Sequence, residues 1–289
     1  MIEIVCWNIR WGEGYDGAVD LSRIVDTAMA MGDPDILCFQ EVARNFPGLT
    51  DDGDADQPAG FHRLLPDFEA IFGAGTDAAG DSIGQRRQFG NLVVTRLPVL
   101  QTFSHPLPRP VTTETPHMQR QALEVIVATG LGPMRVINTH LEYYSSEHRA
   151  AQVEHLRLLH QQTSAHPAQV TPSRSTGADP YVPPTGPCPT VLCGDFNMEK
   201  SESAYARLGE RFDDGTQAFV DAWTVAYPGK DHPITCGVYE LVYWSTAHCR
   251  DFIFVTSDLA GRVRAMDVNE KTEASDHQPL CLVLDDATV

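Results

Sequence analysis

The apolar runs of this 289-residue chain carry polar residues at opposite ends. Asn8 in "VCWNIR", Glu41 in "CFQEV", His140 in "INTHLE" and Asp195 in "LCGDFN" follow their runs, whereas Asn91, Arg120, Asp251 and the Asp276-His277 pair of "SDHQPL" precede theirs. If these groups share one site, the strands that carry them run in both directions. That excludes an all-parallel sheet with its site at the C-terminal strand ends, so neither a TIM barrel nor a simple Rossmann fold fits. A mixed-sheet α/β fold with flanking helices is what remains.

Hydrophobic patterning fills in the elements. Strands are predicted at Ile2 to Asn8, Asp35 to Gln40, Leu92 to Thr95, Gln121 to Ala128, Met134 to Asn138, Thr190 to Cys193, Asp251 to Val255 and Pro279 to Leu284. Helices are predicted at Asp20 to Met31, stopped by Gly32 and Pro34, and at Ser145 to Gln162. The acidic run from Pro47 to Gly60 reads as a surface loop, for solvation or as a lid. The Pro-rich stretch 166–189 reads as an insertion or crossover loop within one domain over 1–289, because the candidate chemistry lies on both sides of it and must converge.

Charge bounds the partners. The formal net charge of −18 repels polyanions and disfavours long duplex DNA, without excluding it. Between Gln85 and Arg120, five arginines stand against one acid, Glu114, so this stretch is expected to hold a compact anion. No long apolar segment is present, so no membrane insertion is expected. The N-terminus lacks the basic and apolar regions of an export signal. Seven cysteines, four of them in apolar runs, fit reduced, buried thiols and a cytoplasmic setting.

Carboxylates, amides and imidazoles at the rim of a buried sheet are the inventory of a metal-assisted phosphoester hydrolase. A hard cation such as Mg²⁺ takes oxygen ligands, and Glu41 with Asn8 supplies such a site. In "GDFN", a Gly turn projects Asp195 and Asn197 together, a water-orienting carboxylate beside an amide able to hold a phosphoryl oxygen; an Asx-turn is the alternative. Asp276 and His277 are successive residues whose side chains diverge, so Asp251 is the expected partner that fixes the tautomer of His277. A zinc hydrolase using His140, His148 and His155 fails on spacing.

In this order from "WNIR" to "SDHQPL", these motifs resemble the endonuclease/exonuclease/phosphatase superfamily of metal-dependent phosphoesterases. The resemblance implies a DNase I-like, four-layer α/β sandwich of two packed mixed β-sheets flanked by helices. It implies that Asn8 and Glu41 hold Mg²⁺ or Mn²⁺ with Asp276 in the metal's shell, that Asp195 and Asn197 orient or activate the water, and that Asp251 orients His277. Arg120 and His140 would bind the phosphate, with Asn91 beside them. The expected substrate is a small or terminal phosphodiester or phosphomonoester. The stretch "THLEYYSSEHRAAQ" is similar to its counterpart in 5′-tyrosyl-DNA phosphodiesterases, whose "GDTN" is not kept, so a DNA-processing enzyme stays open as an alternative, as does a noncatalytic module with the same fold.

Overall fold

The computed structural model describes residues 1–49, 55–165, 186–239 and 246–287. In chain order the elements are β1 (Ile2–Asn8), α1 (Leu21–Met29), β2 (Ile36–Arg44), α2 (Gln57–Leu64), β3 (Glu69–Ala79), β4 (Arg86–Thr95) and β5 (Val99–Pro106). They continue with β6 (Gln121–Thr129), β7 (Gly132–His140), α3 (Ser146–Ala165), β8 (Thr190–Asp195), α4 (Ser203–Leu208), β9 (Phe219–Asp221) and α5 (Ala222–Ala226). The last three are β10 (Asp251–Thr256), β11 (Val263–Val268) and β12 (Leu280–Leu284). Two six-stranded sheets result, ordered β11-β12-β1-β2-β4-β3 and β5-β6-β7-β8-β10-β9.

Both sheets are mixed, and in the same way. In the first, β1 and β2 run parallel while β12 and β4 run antiparallel beside them. In the second, β7 and β8 run parallel, flanked by antiparallel β6 and β10. This is the two-way arrangement that the positions of the polar residues require.

Strand alternation builds the layers. In β1, Ile4 and Cys6 enter the core between the sheets, together with Val136, Val191 and Cys193 of the second sheet. Val5 and Trp7 point the other way, into a core completed by Ile24 of α1 and Phe61 of α2. Phe61 stacks on Phe39 of β2 with ring centroids 4.9 Å apart; truncating either ring to Ala would cost about 3–5 kcal/mol. On the far side, Ile137 and Leu192 pack beneath Val153 and Leu156 of α3 and Leu208 of α4. Helix, sheet, sheet and helix make a four-layer DNase I-like α/β sandwich.

The two sheets are joined by amides as well as by apolar packing. Asn138 of β7 donates from Nδ2 to the carbonyls of Phe39 (2.9 Å) and Leu92 (3.0 Å), and its Oδ1 accepts from Gln40 Nε2 at 2.7 Å. Asn91 of β4 crosses the other way, donating to the carbonyls of Gln121 and Asn138, both at 3.2 Å. Buried backbone carbonyls need such partners. These bonds fix one sheet against the other next to the polar strand ends.

Several sequence-based expectations are corrected here. The strand predicted to stop at Gln40 continues to Arg44, so Glu41 lies inside β2, and Asn91 lies inside β4 instead of preceding it. The loop predicted from Pro47 to Gly60 ends early: Asp56 accepts a bond from Ala59 N, and α2 starts at Gln57. A capping Asp and a Pro in the first turn are strong helix starters, which acidity alone obscured. Residues 50–54 of that loop, and 166–185 of the Pro-rich stretch, lie outside the described residues.

Candidate active site

Glu41 reaches the site through a backbone irregularity. Between Phe39 and Val42 the β2–β4 register shifts, and Glu41 takes a left-handed φ of 59°. A bulge re-aims a side chain, and a non-glycine residue held at positive φ is often maintained at a functional site. Asn8, at the end of the parallel neighbour β1, donates from Nδ2 to Glu41 Oε1 at 3.1 Å and to Asp195 Oδ2 at 3.0 Å. One amide therefore bridges a carboxylate of the first sheet to one of the second.

The second sheet delivers its residues in register. His140 and Asp195 are paired positions at the ends of parallel β7 and β8, and Asp251 pairs with Asp195 across the antiparallel β8–β10 ladder. Gly194 makes the close approach possible, since a Cβ there would lie 1.8 Å from the carbonyl oxygen of Thr139. Asn197 also has a left-handed φ, 50°, and its backbone N–H donates to Asp195 Oδ1 at 2.9 Å. The Asx-turn is thus present, and it holds Asn197 in the site: Asn197 Nδ2 is 2.9 Å from His140 Nε2. His140 Nε2 in turn stands 3.3 Å from Asp195 Oδ2.

His277 Nδ1 lies 2.8 Å from Asp251 Oδ2, as the sequence suggested, and its Nε2 is 3.8 Å from Asp195 Oδ2. The other support of Asp251 escaped the sequence reading. Thr235 Oγ1 donates to Asp251 Oδ2 at 2.6 Å. Burial opposes the imidazolium form of His277, but the charges of Asp251 and Asp195 outweigh it and hold the group well above its ordinary range. Burial pushes the Asp251 carboxyl up to about 6, against the pull of His277. At neutral pH the dyad is an ion pair.

The neighbouring groups are tuned in different directions. Burial and the nearby Arg120 push His140 down to about 3, so it is neutral. For Asp195, the imidazoles of His140 and His277 and the donors of Asn8 and Asn197 outweigh burial and keep the carboxylate below its usual range. Burial and the Asp276 charge raise Glu41 to about 7. Two carboxylates that repel each other are an oxygen pair of the kind that takes a hard divalent cation, while the Asn8 amide beside them turns its Nδ2 to Glu41 and its Oδ1 to the Arg10 N–H. Among the described residues, Asp195, Asp251 and His277 form a second metal-capable group, with ligand atoms within 4.8 Å of one another. Its Asp251–His277 hydrogen bond already engages two of the three.

Arg120, just before β6, is buried, and its Nε lies 3.7 Å from Glu142 Oε2. Glu142 is a second residue that the sequence reading passed over, although it follows His140 in the same motif. Arg120, Asn91 and His140 line one narrow cleft, but both amide hydrogens of Asn91 are taken by the intersheet bonds. Three of the five arginines expected to hold a compact anion are instead paired with acids. Arg86 pairs with Asp77, Arg87 with Asp81, and Arg96 with Asp33 and Asp35. Arg96 follows the C-terminal end of β4, whereas Asn91 lies within the strand. Neighbouring strands supply the acids that a linear charge count omits.

Comparison with known proteins bears on this geometry. Residues 5–277 match the model of the Endonuclease/Exonuclease/phosphatase family. Among solved structures, an endonuclease/exonuclease/phosphatase from Beutenbergia cavernae superposes with a TM-score of 0.68 at 23% identity, over 98% of this chain and 71% of the other. A mannosyl-6-phosphatase from Bacteroides thetaiotaomicron gives 0.68 at 15% identity, over 99% and 100%. A humanised TDP2 of D. rerio gives 0.61 at 15%, over 98% of both chains. No curated protein matches.

Proposed function

The chain belongs to the endonuclease/exonuclease/phosphatase family, and from that premise we propose that it is a Mg²⁺- or Mn²⁺-dependent phosphoesterase acting on a small or terminal phosphoester by direct attack of water. The observation that carries the reading is the Asn8 amide bonded to Glu41 and to Asp195 at once. Through it, oxygen donors of one sheet and acid–base groups of the other face the same point.

Glu41, with Asn8 and Asp276, would hold the cation. When bound, the metal polarises the phosphoryl oxygens and stabilises developing charge. Asp195 stays anionic and orients the attacking water as its proton acceptor, with Asn197 fixing that carboxylate through a backbone N–H. His277, held as an imidazolium by Asp251, donates toward the phosphoryl group. Neutral His140 and the buried Arg120 bind the remaining phosphate oxygens, and Asn91 keeps the sheets aligned beside them. Donors placed in advance, in a site largely shielded from water, are the main source of such catalysis.

Hydrolysis of bis-p-nitrophenyl phosphate should require Mg²⁺ or Mn²⁺ and should vanish with EDTA or in Glu41→Ala. Full turnover in EDTA would remove the metal from the mechanism. A DNA-processing activity of the TDP2 kind is the second reading, favoured by the likeness to those structures; the charge of the chain counts against long DNA. Seven free thiols, five of them buried, fit a reducing compartment such as the cytoplasm. No helix among the described residues is long and apolar enough to cross a membrane.

A further inference from the structure

We propose that the alcohol half of the substrate is a neutral, polyhydroxylated group of sugar type, held in a cavity between the two segments that lead away from Arg120 and His140. This deepens the phosphoesterase reading and rests on it. Two segments that leave the site form the walls. The loop 108–119 closes at its neck where Leu107 N donates to Arg120 O at 2.9 Å, and Gln119 Nε2 donates to the carbonyls of both Leu107 and Arg120 at 2.7 Å. The other wall runs from His140 through residues 141–145 into α3. Gln152 joins the two, accepting from Glu142 N at 2.9 Å and donating to Pro108 O at 3.2 Å.

Between the walls lies a cavity of about 590 Å³, within the range that small-molecule sites occupy. Its chemistry is specific. Thr112 and Ser145 line it, and each accepts a backbone N–H, from Glu114 at 3.2 Å and His148 at 3.3 Å, which leaves its own O–H to donate. Glu114, Glu147 and Tyr144, the last 58% exposed, line the same space. His148, also in the wall, is 2% exposed, and its Nδ1 has no hydrogen-bond partner among the described residues.

Carboxylates accept from pairs of sugar hydroxyls, Ser and Thr hydroxyls serve as donors or acceptors, and a tyrosine ring covers the C–H face of a pyranose. No lysine or arginine lines the cavity. A second phosphate or a nucleotide backbone would therefore lie against two lining carboxylates, with Arg109 of the same loop outside the lining. Arg120, at the neck of the loop, ties this wall to the cleft that it lines with Asn91 and His140.

The test measures kcat/KM with Mg²⁺ for glucose, galactose and mannose 6-phosphates, phosphocholine, the p-nitrophenyl ester of thymidine 5′-monophosphate, and bis-p-nitrophenyl phosphate. It uses the wild type, Tyr144→Ala and Glu147→Gln. At least one hexose phosphate should be the best substrate, and each variant should lower its kcat/KM about tenfold, the scale of one lost polar or stacking contact. Turnover of bis-p-nitrophenyl phosphate should stay within about twofold. Binding of the corresponding free hexose, followed by calorimetry, should weaken in parallel. A best substrate among phosphocholine or the nucleotide ester, or equal losses on every substrate, would overturn the subsite. Turnover of bis-p-nitrophenyl phosphate without hexose binding would overturn the subsite and leave the phosphoesterase. Hexose binding lost in both variants, with no turnover of any ester, would do the reverse.

Discussion

His277 and Asp195 are two titratable groups less than 4 Å apart whose environments push them opposite ways. Such divergence separates a donor from an acceptor. A side chain that acts as the transition state forms should be removable without loss of the overall fold. Asp195→Asn and His277→Ala should therefore each lower kcat by roughly a hundredfold or more while the circular dichroism spectrum stays that of a folded protein, with the thermal transition lowered in His277→Ala, which strands the buried Asp251 carboxylate. Near-wild-type turnover in a purified variant would take that residue out of the chemistry. The dyad was legible in the sequence because "DFIFV" and "SDHQPL" each open an apolar run. Thr235 and Glu142 were not, since a hydroxyl 16 positions from its carboxylate and a glutamate within a polar turn have no linear signature.

At the scale of elements, the site depends on how one sheet is held against the other. Asn138 in the centre of that junction satisfies two main-chain carbonyls of the first sheet and the amide of Gln40. Asn138→Ala would strand these buried groups, so it should cost about 3 kcal/mol or more and lower kcat, since Asn8 and Asp195 would lose their alignment. Chemical denaturation beside steady-state kinetics checks this, and a variant as stable and as active as wild type would contradict it. The elements themselves were unevenly legible. Every strand inside the two sheets had been visible as an apolar run, and the four that had not, β3, β5, β9 and β11, are the sheet edges. In β5, Gln101, Thr102 and Ser104 of "VLQTFSHP" lie partly or wholly in solvent, so an edge strand lacks the continuous hydrophobic run that burial on both faces imposes. Glu41 was read at a strand end because a bulge has no hydrophobic signature; only the paired strand reveals it.

The molecule as a whole sets the size of the substrate through its field. A protein that grips duplex DNA neutralises many phosphates, and its affinity falls with salt at a logarithmic slope of about −0.9 per contact. This chain has a formal charge of −18, and three of the five arginines that might have offset it locally are spent on Asp77, Asp81, Asp33 and Asp35. Arg120, buried beside His140, and Arg250, whose Nη1 donates to the Asn197 carbonyl, are cations at the site. With one or two such contacts, the slope of log kcat/KM against log salt should be about −2 or shallower, where a duplex groove of six contacts would give about −5. At near-physiological salt, kcat/KM for small phosphoesters should accordingly exceed that for nicking of plasmid DNA. Efficient plasmid degradation with tight duplex binding and a steep salt slope would mean that the acidic average conceals a nucleic-acid groove, and the nuclease reading would then replace the small-substrate one.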